Sequence, residues 1–573
     1  MAELTLKERL RKAALAVDEP GKRSALASVI ATPLKRWVTP RAPVDYLLIV
    51  PQDLRTADPS FWTELEHGQF GLAGSLVLLK GRSPFEADAP NAAWARELHG
   101  FGWLRNLDAA GSEEARETGR RLALEWTLRF GQARTGVATE PAVSARRMIS
   151  WLSHANFLLE DADPETYGAI TASLGRQLAH LSSTWREAPA GYERLLAVMA
   201  LAFAVLSLAG HDKKLRDVEA NLTAELSWQV LVDGGHITRN PALLVELLLD
   251  LLPLCQCFTA RDRKLPERLS ETLEHMLPML RYLRLGDGML ARFNGVGCSE
   301  AAALATVAAY DDGSLGPLVD ARASGYARME CGATTIVADV GRPPPLAMSA
   351  SAQAGCLSFE MSDGRELLFV NGGLPGCAAG DWFPAARATA SHNTLVLAET
   401  SSSRLITHRK IEALTGVAPI RYPERVEWQL EHGEGGVVLG ASHDGYYRRH
   451  ELIHSRRLEL SADGLRLQGQ DRLDGLNGKI RLRVDLPFAI HFHLAPSARC
   501  GRGDAFDEAV ITLPGGQRWR FSVVGAALSI EESVYFAENA GPRPRQQIVL
   551  RGVTFGETEV NWVAERLPEG NLE

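Results

Sequence analysis

Two short runs of this chain gather histidine, arginine and amide side chains. One is Arg387-Ala-Thr-Ala-Ser-His392-Asn393-Thr394, which opens into the apolar Leu395-Val-Leu. The other is Asp233-Gly-Gly-His236-Ile-Thr-Arg239-Asn240-Pro241. An imidazole titrates near neutral pH and can take or give a proton there. A guanidinium can hold a carboxylate through two parallel hydrogen bonds, and Arg239 and Arg387 are candidates for that work. Asn240 and Pro241 stand where a helix begins, a place where backbone amides favour anions. The same pair also reads as a helix cap with proline at the first position. His443-Asp444-Gly445-Tyr446 and Ala190-Gly-Tyr192-Glu193 add two tyrosines that could move a proton. His392, Glu399 and His443 could converge on a divalent metal if antiparallel strands bring them together, although their spacing selects no zinc site.

The elements that must position these groups differ along the chain. Residues 1–110 form a mixed and helical leading segment, with residues 45–50 strand-like. From 111 to 290 apolar residues recur at three- and four-residue intervals, which predicts helices near 113–128, 145–159, 164–181, 192–209, 213–232, 241–254 and 266–283. The segment 195–209 is apolar on nearly every face, so its helix must be covered on several sides. Such helices without a tight sequence repeat predict an incomplete α/α barrel, or toroid. After a connection at 291–317, period-two patterning dominates 318–573. Hairpins are predicted at Asp363-Gly364 and Asp463-Gly464, in a large antiparallel β-sandwich. The two polar runs thus come from two differently built halves, and a cleft between domains is a common place for a ligand.

Bulk properties narrow the choice. At 573 residues the chain needs more than one core. A formal charge of −8 argues against a dedicated nucleic-acid binder. The seven cysteines, among them Cys255, Cys257 and Cys377, are an odd, scattered set that suggests reduced thiols. No apolar run reaches membrane-span length. The charged, amphipathic start lacks a signal-peptide core, so a cytoplasmic location is expected, with the periplasm as alternative.

The run Ala390-Ser-His392-Asn393-Thr394-Leu resembles the His-Asn-Thr motif of the heparinase II/III-like polysaccharide lyase family. Asp233-Gly-Gly-His236, Ser324-Gly-Tyr326, Phe369-Val-Asn371-Gly-Gly and His443-Asp-Gly-Tyr446 support the resemblance. It implies β-elimination at a uronic acid: a base removes the C5 proton, an acid meets the leaving oxygen, and the carboxylate charge is blunted. The implied catalytic set is His392, Tyr446, Arg239 and Asn240, with Tyr192 as the other candidate acid. His236, Tyr192, Glu193, Arg387 and Asn393 are the implied substrate-binding residues. No redox cofactor is required, and a structural divalent metal is allowed for. The implied partner is an acidic poly- or oligosaccharide, with no nucleic acid and no membrane span; a homodimer is compatible with the chain. Aligned on Pro241, the position of the family's toroid tyrosine holds Leu243, which keeps a non-catalytic carbohydrate-binding protein open. A glycoside hydrolase is the third reading, for which Glu193, Asp233 and Glu246 are the toroid carboxylates.

Overall fold

The computed structural model describes residues 46–376, 382–405, 419–475, 485–554 and 557–568. The helical half holds α1 (Glu113–Phe130), α2 (Pro141–Ser153), α3 (Pro164–Thr184), α4 (Tyr192–Ser207), α5 (Leu215–Gln229), α6 (Ala242–Ala260) and α7 (Glu267–Tyr282). Their starts follow local chemistry. Ser112 caps α1 by accepting from the Ala115 amide, and Asp163 caps α3 by accepting from Glu165 and Thr166. Every residue of α4 from Leu195 to Ser207 is buried, because α2, α3, α5 and α6 all pack on it. It is the inner helix that its sequence demands. By length and composition α6 could cross a membrane, yet 67% of its apolar window is buried inside the protein.

The predicted helix at 145–159 is two helices, α2 and a short one at Ala155–Leu159, broken at His154. His154 bonds Asp108 and Asp53 instead of continuing the helix face. The strand-like reading of 45–50 holds only as one bridge, Leu47 to Leu208; residue 45 lies outside the described residues.

In the second half an eight-stranded antiparallel sheet contains β1 (Val426–Gly433), β2 (Gly436–His443), β3 (Leu452–Ser461) and β4 (Arg466–Gly475) in sequential order, extended beyond β4 by Thr558–Arg566. Burial alternates along β3 residue by residue, as period-two patterning requires. A four-stranded sheet runs Tyr326–Cys331, Thr334–Asp339, Phe359–Asp363 and Glu366–Phe369; another includes Leu395–Leu397 beside Leu486–His493. Phe359 and Phe521 stack on Trp562 in the core between the sheets, and Phe492 meets Phe359 and Trp562 edge to face. The molecule is an α/α toroid followed by a β-sandwich.

The two halves meet through the first polar run. The Asp233 carboxylate accepts from the Ser324 amide and hydroxyl, both at 2.7 Å. A Cβ at Gly235 would lie 1.8 Å from the Ser324 Oγ, so only glycine permits this approach. Arg239, held at φ +58°, donates to the carbonyls of Ser324, Gly325 and Arg342 and to Asp339. Asp339 is held in turn by Asn294, whose amide also reaches the Tyr326 hydroxyl.

Candidate active site

His392 follows a 3-10 turn at Thr389–Ser391 and has extended backbone. Its Nδ1 lies 2.8 Å from the Ala388 carbonyl, so this nitrogen carries the proton. Its Nε2 is then an unprotonated acceptor, and it is buried with no hydrogen-bond partner among the described residues. Burial holds the imidazole pKa down to about 4, against the smaller raising effects of the Ala388 bond and Asp339. At neutral pH the ring is therefore uncharged. It can accept a proton, but it carries no charge with which to blunt a carboxylate. The ring packs against Gly355, where a Cβ would come within 2.6 Å of it.

Other residues of the second run are structural. Asn393 is fully buried, its Nδ2 donating to Phe359 and its Oδ1 accepting from the His493 amide. It ties strands together and offers nothing to a sugar. Arg387 was expected to face a second carboxylate. It is instead 0% exposed, donating to the carbonyls of Ala352 and Ser349, so it pins the loop before Gly355.

The tyrosines separate clearly. Tyr446 is 1% exposed and donates to the Leu395 carbonyl at 2.6 Å; burial pushes its phenol pKa well up. It is a core residue holding the strand that follows His392. Tyr192, at the start of α4, is half-buried. Its hydroxyl accepts from Arg146 at 2.9 Å, leaving the phenolic proton to point elsewhere. Burial pushes that phenol up to about 12, and Arg146 works against the rise.

The first run departs from expectation too. Arg239 is a joint between domains, with its Nε, Nη1 and Nη2 all bonded to Ser324, Arg342, Gly325 or Asp339. Asn240 caps α6, its Oδ1 accepting from Ala242. His236 is buried between Thr238 and Gln229, with burial holding it down to about 4. Glu193 is exposed beside Tyr192, and Glu399 is exposed in a turn. His443 lies in a sealed chain: it accepts from the Gly445 amide, meets His454, and His454 meets Asp471. Among the described residues no group of three or more His, Cys, Asp or Glu is placed to hold a metal ion, so His392, Glu399 and His443 form none.

One cluster escaped the sequence reading. Asp250 receives Arg55 at 2.7 Å and Arg146 at 2.9 Å, and Arg55 also reaches Glu246. Burial would raise the Asp250 carboxyl, but the two guanidiniums pull it down to about 2. The signal was present: Glu246 and Asp250 lie four apart in an otherwise apolar helix, where a buried charge must be paired. Asp250 is thus held ionised and supplies no protonated acid for glycoside hydrolysis, and Asp233 is engaged by the Ser324 amide and hydroxyl.

The toroid and sandwich sides share one loop. Met348 lies against Gly191, next to Tyr192, where a Cβ would come within 2.9 Å of its sulfur. Seven residues on, Gly355 touches the His392 ring.

Residues 314–563 match a sequence profile described as Heparinase II/III-like, C-terminal. The FtsZ-localized protein C of Caulobacter vibrioides (strain NA1000 / CB15N) is 32% identical over 527 residues, covering 89% of each chain. This chain belongs to the heparinase II/III-like family. A crystal structure of heparinase III superposes with a TM-score of 0.70 at 13% identity, covering 96% of this chain and 92% of that one. A mutant heparan sulfate lyase of Pedobacter heparinus gives 0.63 at 15% identity, covering 99% and 92%. At such low identity these two likenesses establish the fold, toroid and sandwich together. The chain has the scaffold of a polysaccharide-lyase family.

Proposed function

We propose that this protein is a polysaccharide lyase that cleaves uronate-containing poly- or oligosaccharides by β-elimination. The observation that carries the reading is the buried His392 Nε2, an unprotonated ring nitrogen with no hydrogen-bond partner among the described residues. An unpartnered buried ring nitrogen on the histidine of the family's His-Asn-Thr motif calls for an explanation such as a catalytic role. His392 takes the C5 proton; the electron pair forms the C4–C5 double bond as the C4–oxygen bond breaks. Tyr192 gives its phenolic proton to the departing oxygen. The neutral imidazole leaves the carboxylate to another group. Arg342 is exposed, its carbonyl is held by Arg239, and neighbouring Gly341 lies beside Cys356, which follows the Gly355 that touches His392. Arg342 meets the carboxylate in this scheme.

A second reading has its own support. Leu243 replaces the family's toroid tyrosine, and His392 is only 1% exposed, so the packing around its ring closes it to a sugar. A glycan-binding protein without turnover fits these features.

One experiment separates the readings. The protein is incubated with a panel of uronans while the ultraviolet absorbance of the unsaturated ring is followed. A lyase raises it, and His392→Ala abolishes the rise. Reducing ends without that absorbance indicate hydrolysis. Saturable binding without either product supports the second reading and overturns the first.

A further inference from the structure

A phenol donates one hydrogen bond and accepts others. Tyr192 already accepts from Arg146 Nη2 at 2.9 Å, and no protein acceptor takes its proton among the hydrogen bonds of the described residues. The guanidinium beside it is held with unusual rigidity. Arg146 donates to both oxygens of Asp250, at 2.9 Å each. Arg55 donates to the same two oxygens from the other side, at 2.7 and 3.0 Å. Asp250 is 2% exposed, while the side chains of Arg55 and Arg146 are 13% and 19% exposed. The cluster is thus nearly closed to solvent, where screening is weak and geometry persists.

We infer that Arg146 is the positioning residue of Tyr192: clamped by Asp250, it turns the phenolic proton away from the clamp and favours the phenolate left when that proton is given up. This rests on the reading of Tyr192 as the acid of the proposed elimination, and it extends that reading to residues outside the known motif. A guanidinium donating to the phenol oxygen strengthens as the oxygen becomes anionic, so its effect is largest after proton transfer. The clamp matters because one anion shared by two cations leaves Arg146 with charge to spend on the phenol. The groups facing Tyr192 are Arg146, Arg55, Asp250 and Glu246; the last two oppose the phenolate and the first two favour it.

The test needs no substrate, so its failure is distinct from failure of the lyase reading. Tyr192 is replaced by 3-nitrotyrosine, whose phenol ionises near neutral pH and is followed by its visible absorbance. In otherwise unaltered protein and in Arg146→Gln, the ionisation midpoint is compared with the fold checked by circular dichroism. The midpoint is expected to rise by about one pH unit or more in Arg146→Gln, as loss of an adjacent opposite charge requires. Arg146→Lys serves as the second variant: a lone ammonium does not reproduce the planar fork that holds both Asp250 oxygens and the phenol, so a smaller rise is expected. An unmoved midpoint in a folded Arg146→Gln protein overturns the inference. If that variant does not fold, an unmoved midpoint in Arg146→Lys does the same. Where turnover is measurable, Arg146→Lys should lower kcat with little change in KM and displace the pH profile, which a merely structural arginine would not do.

Discussion

Replacing Arg239 by alanine decides whether this residue holds the domains or a ligand. Its Nε reaches the Ser324 carbonyl at 2.7 Å, Nη1 the Arg342 carbonyl at 2.9 Å, and Nη2 the Gly325 carbonyl at 2.8 Å and Asp339 at 2.5 Å. The guanidinium also lies 4.8 Å from the centre of the Tyr326 ring. Removing it strands Asp339, 3% exposed, with only the Asn294 amide and a long contact from Gly341 for company. Breaking one partner of a buried ion pair costs about 3–5 kcal/mol. The three abandoned carbonyls add to this, each less than a charged group would. Because the bonds cross from toroid to sandwich, the loss should appear as uncoupling. Calorimetry and urea unfolding of Arg239→Ala should show a lower first transition and a separation of two steps. A ligand-holding arginine would behave oppositely, since removing a binding residue commonly leaves stability unchanged or improved. Unchanged unfolding together with lost glycan binding would refute the joint reading.

Three further outcomes follow from the same geometry. His236 and His392 are held at about 4 against an ordinary value near 6.5. The unfolded chain therefore takes protons first as pH falls, so the stability these rings contribute is complete above about pH 6.5 and drains away toward pH 4. Each accounts for roughly 3 kcal/mol across that window, and urea midpoints should drop between pH 7.5 and 5; a rise would contradict the assignment. Tyr446→Phe should cost about 1 kcal/mol of stability, from one lost hydrogen bond, and leave turnover intact, whereas Tyr192→Phe should remove turnover and spare the fold; steady-state kinetics beside thermal melts separate the two. Gly235→Ala should destabilise by about 1–3 kcal/mol through overpacking against Ser324, measured by urea denaturation, and Ser324→Gly should relieve part of it.

The fold was largely legible because periodicity survives without knowledge of partners. The all-apolar stretch after Tyr192 announced an inner helix, and α4 ends at Ser207, two residues before the predicted limit. Asp363-Gly364 and Asp463-Gly464 turn the hairpins that their types require. The helix predicted to end at 254 continues to Ala260, because apolar packing on both sides of Pro253 outweighs the amide bond that proline cannot make. The site was less legible, since a side chain's work is set by what lies opposite it. Nothing near Asp233 in sequence indicates that Ser324, 91 residues away, takes its carboxylate. Arg239 and Arg387 have the chemistry to bind a ligand's carboxylate, but Arg239 spends it on Asp339 and three backbone carbonyls and Arg387 on the carbonyls of Ala352 and Ser349. Asp250 could have been found, because a lone buried acid in an apolar helix demands a cation. Which of the many arginines would answer, and that one of them would also touch Tyr192, required the packed toroid.

The claim at the centre is that the vacant ring nitrogen of His392 is where the uronate sugar meets the protein. Nitrogen NMR of the histidine rings in Tyr192→Phe protein, with turnover blocked, tests it by adding a uronan oligosaccharide. The account predicts that His392 begins as the neutral tautomer protonated on Nδ1, and that its Nε2 signal moves saturably with the sugar. Glycan binding that leaves this signal in place, while resonances elsewhere respond, would contradict it.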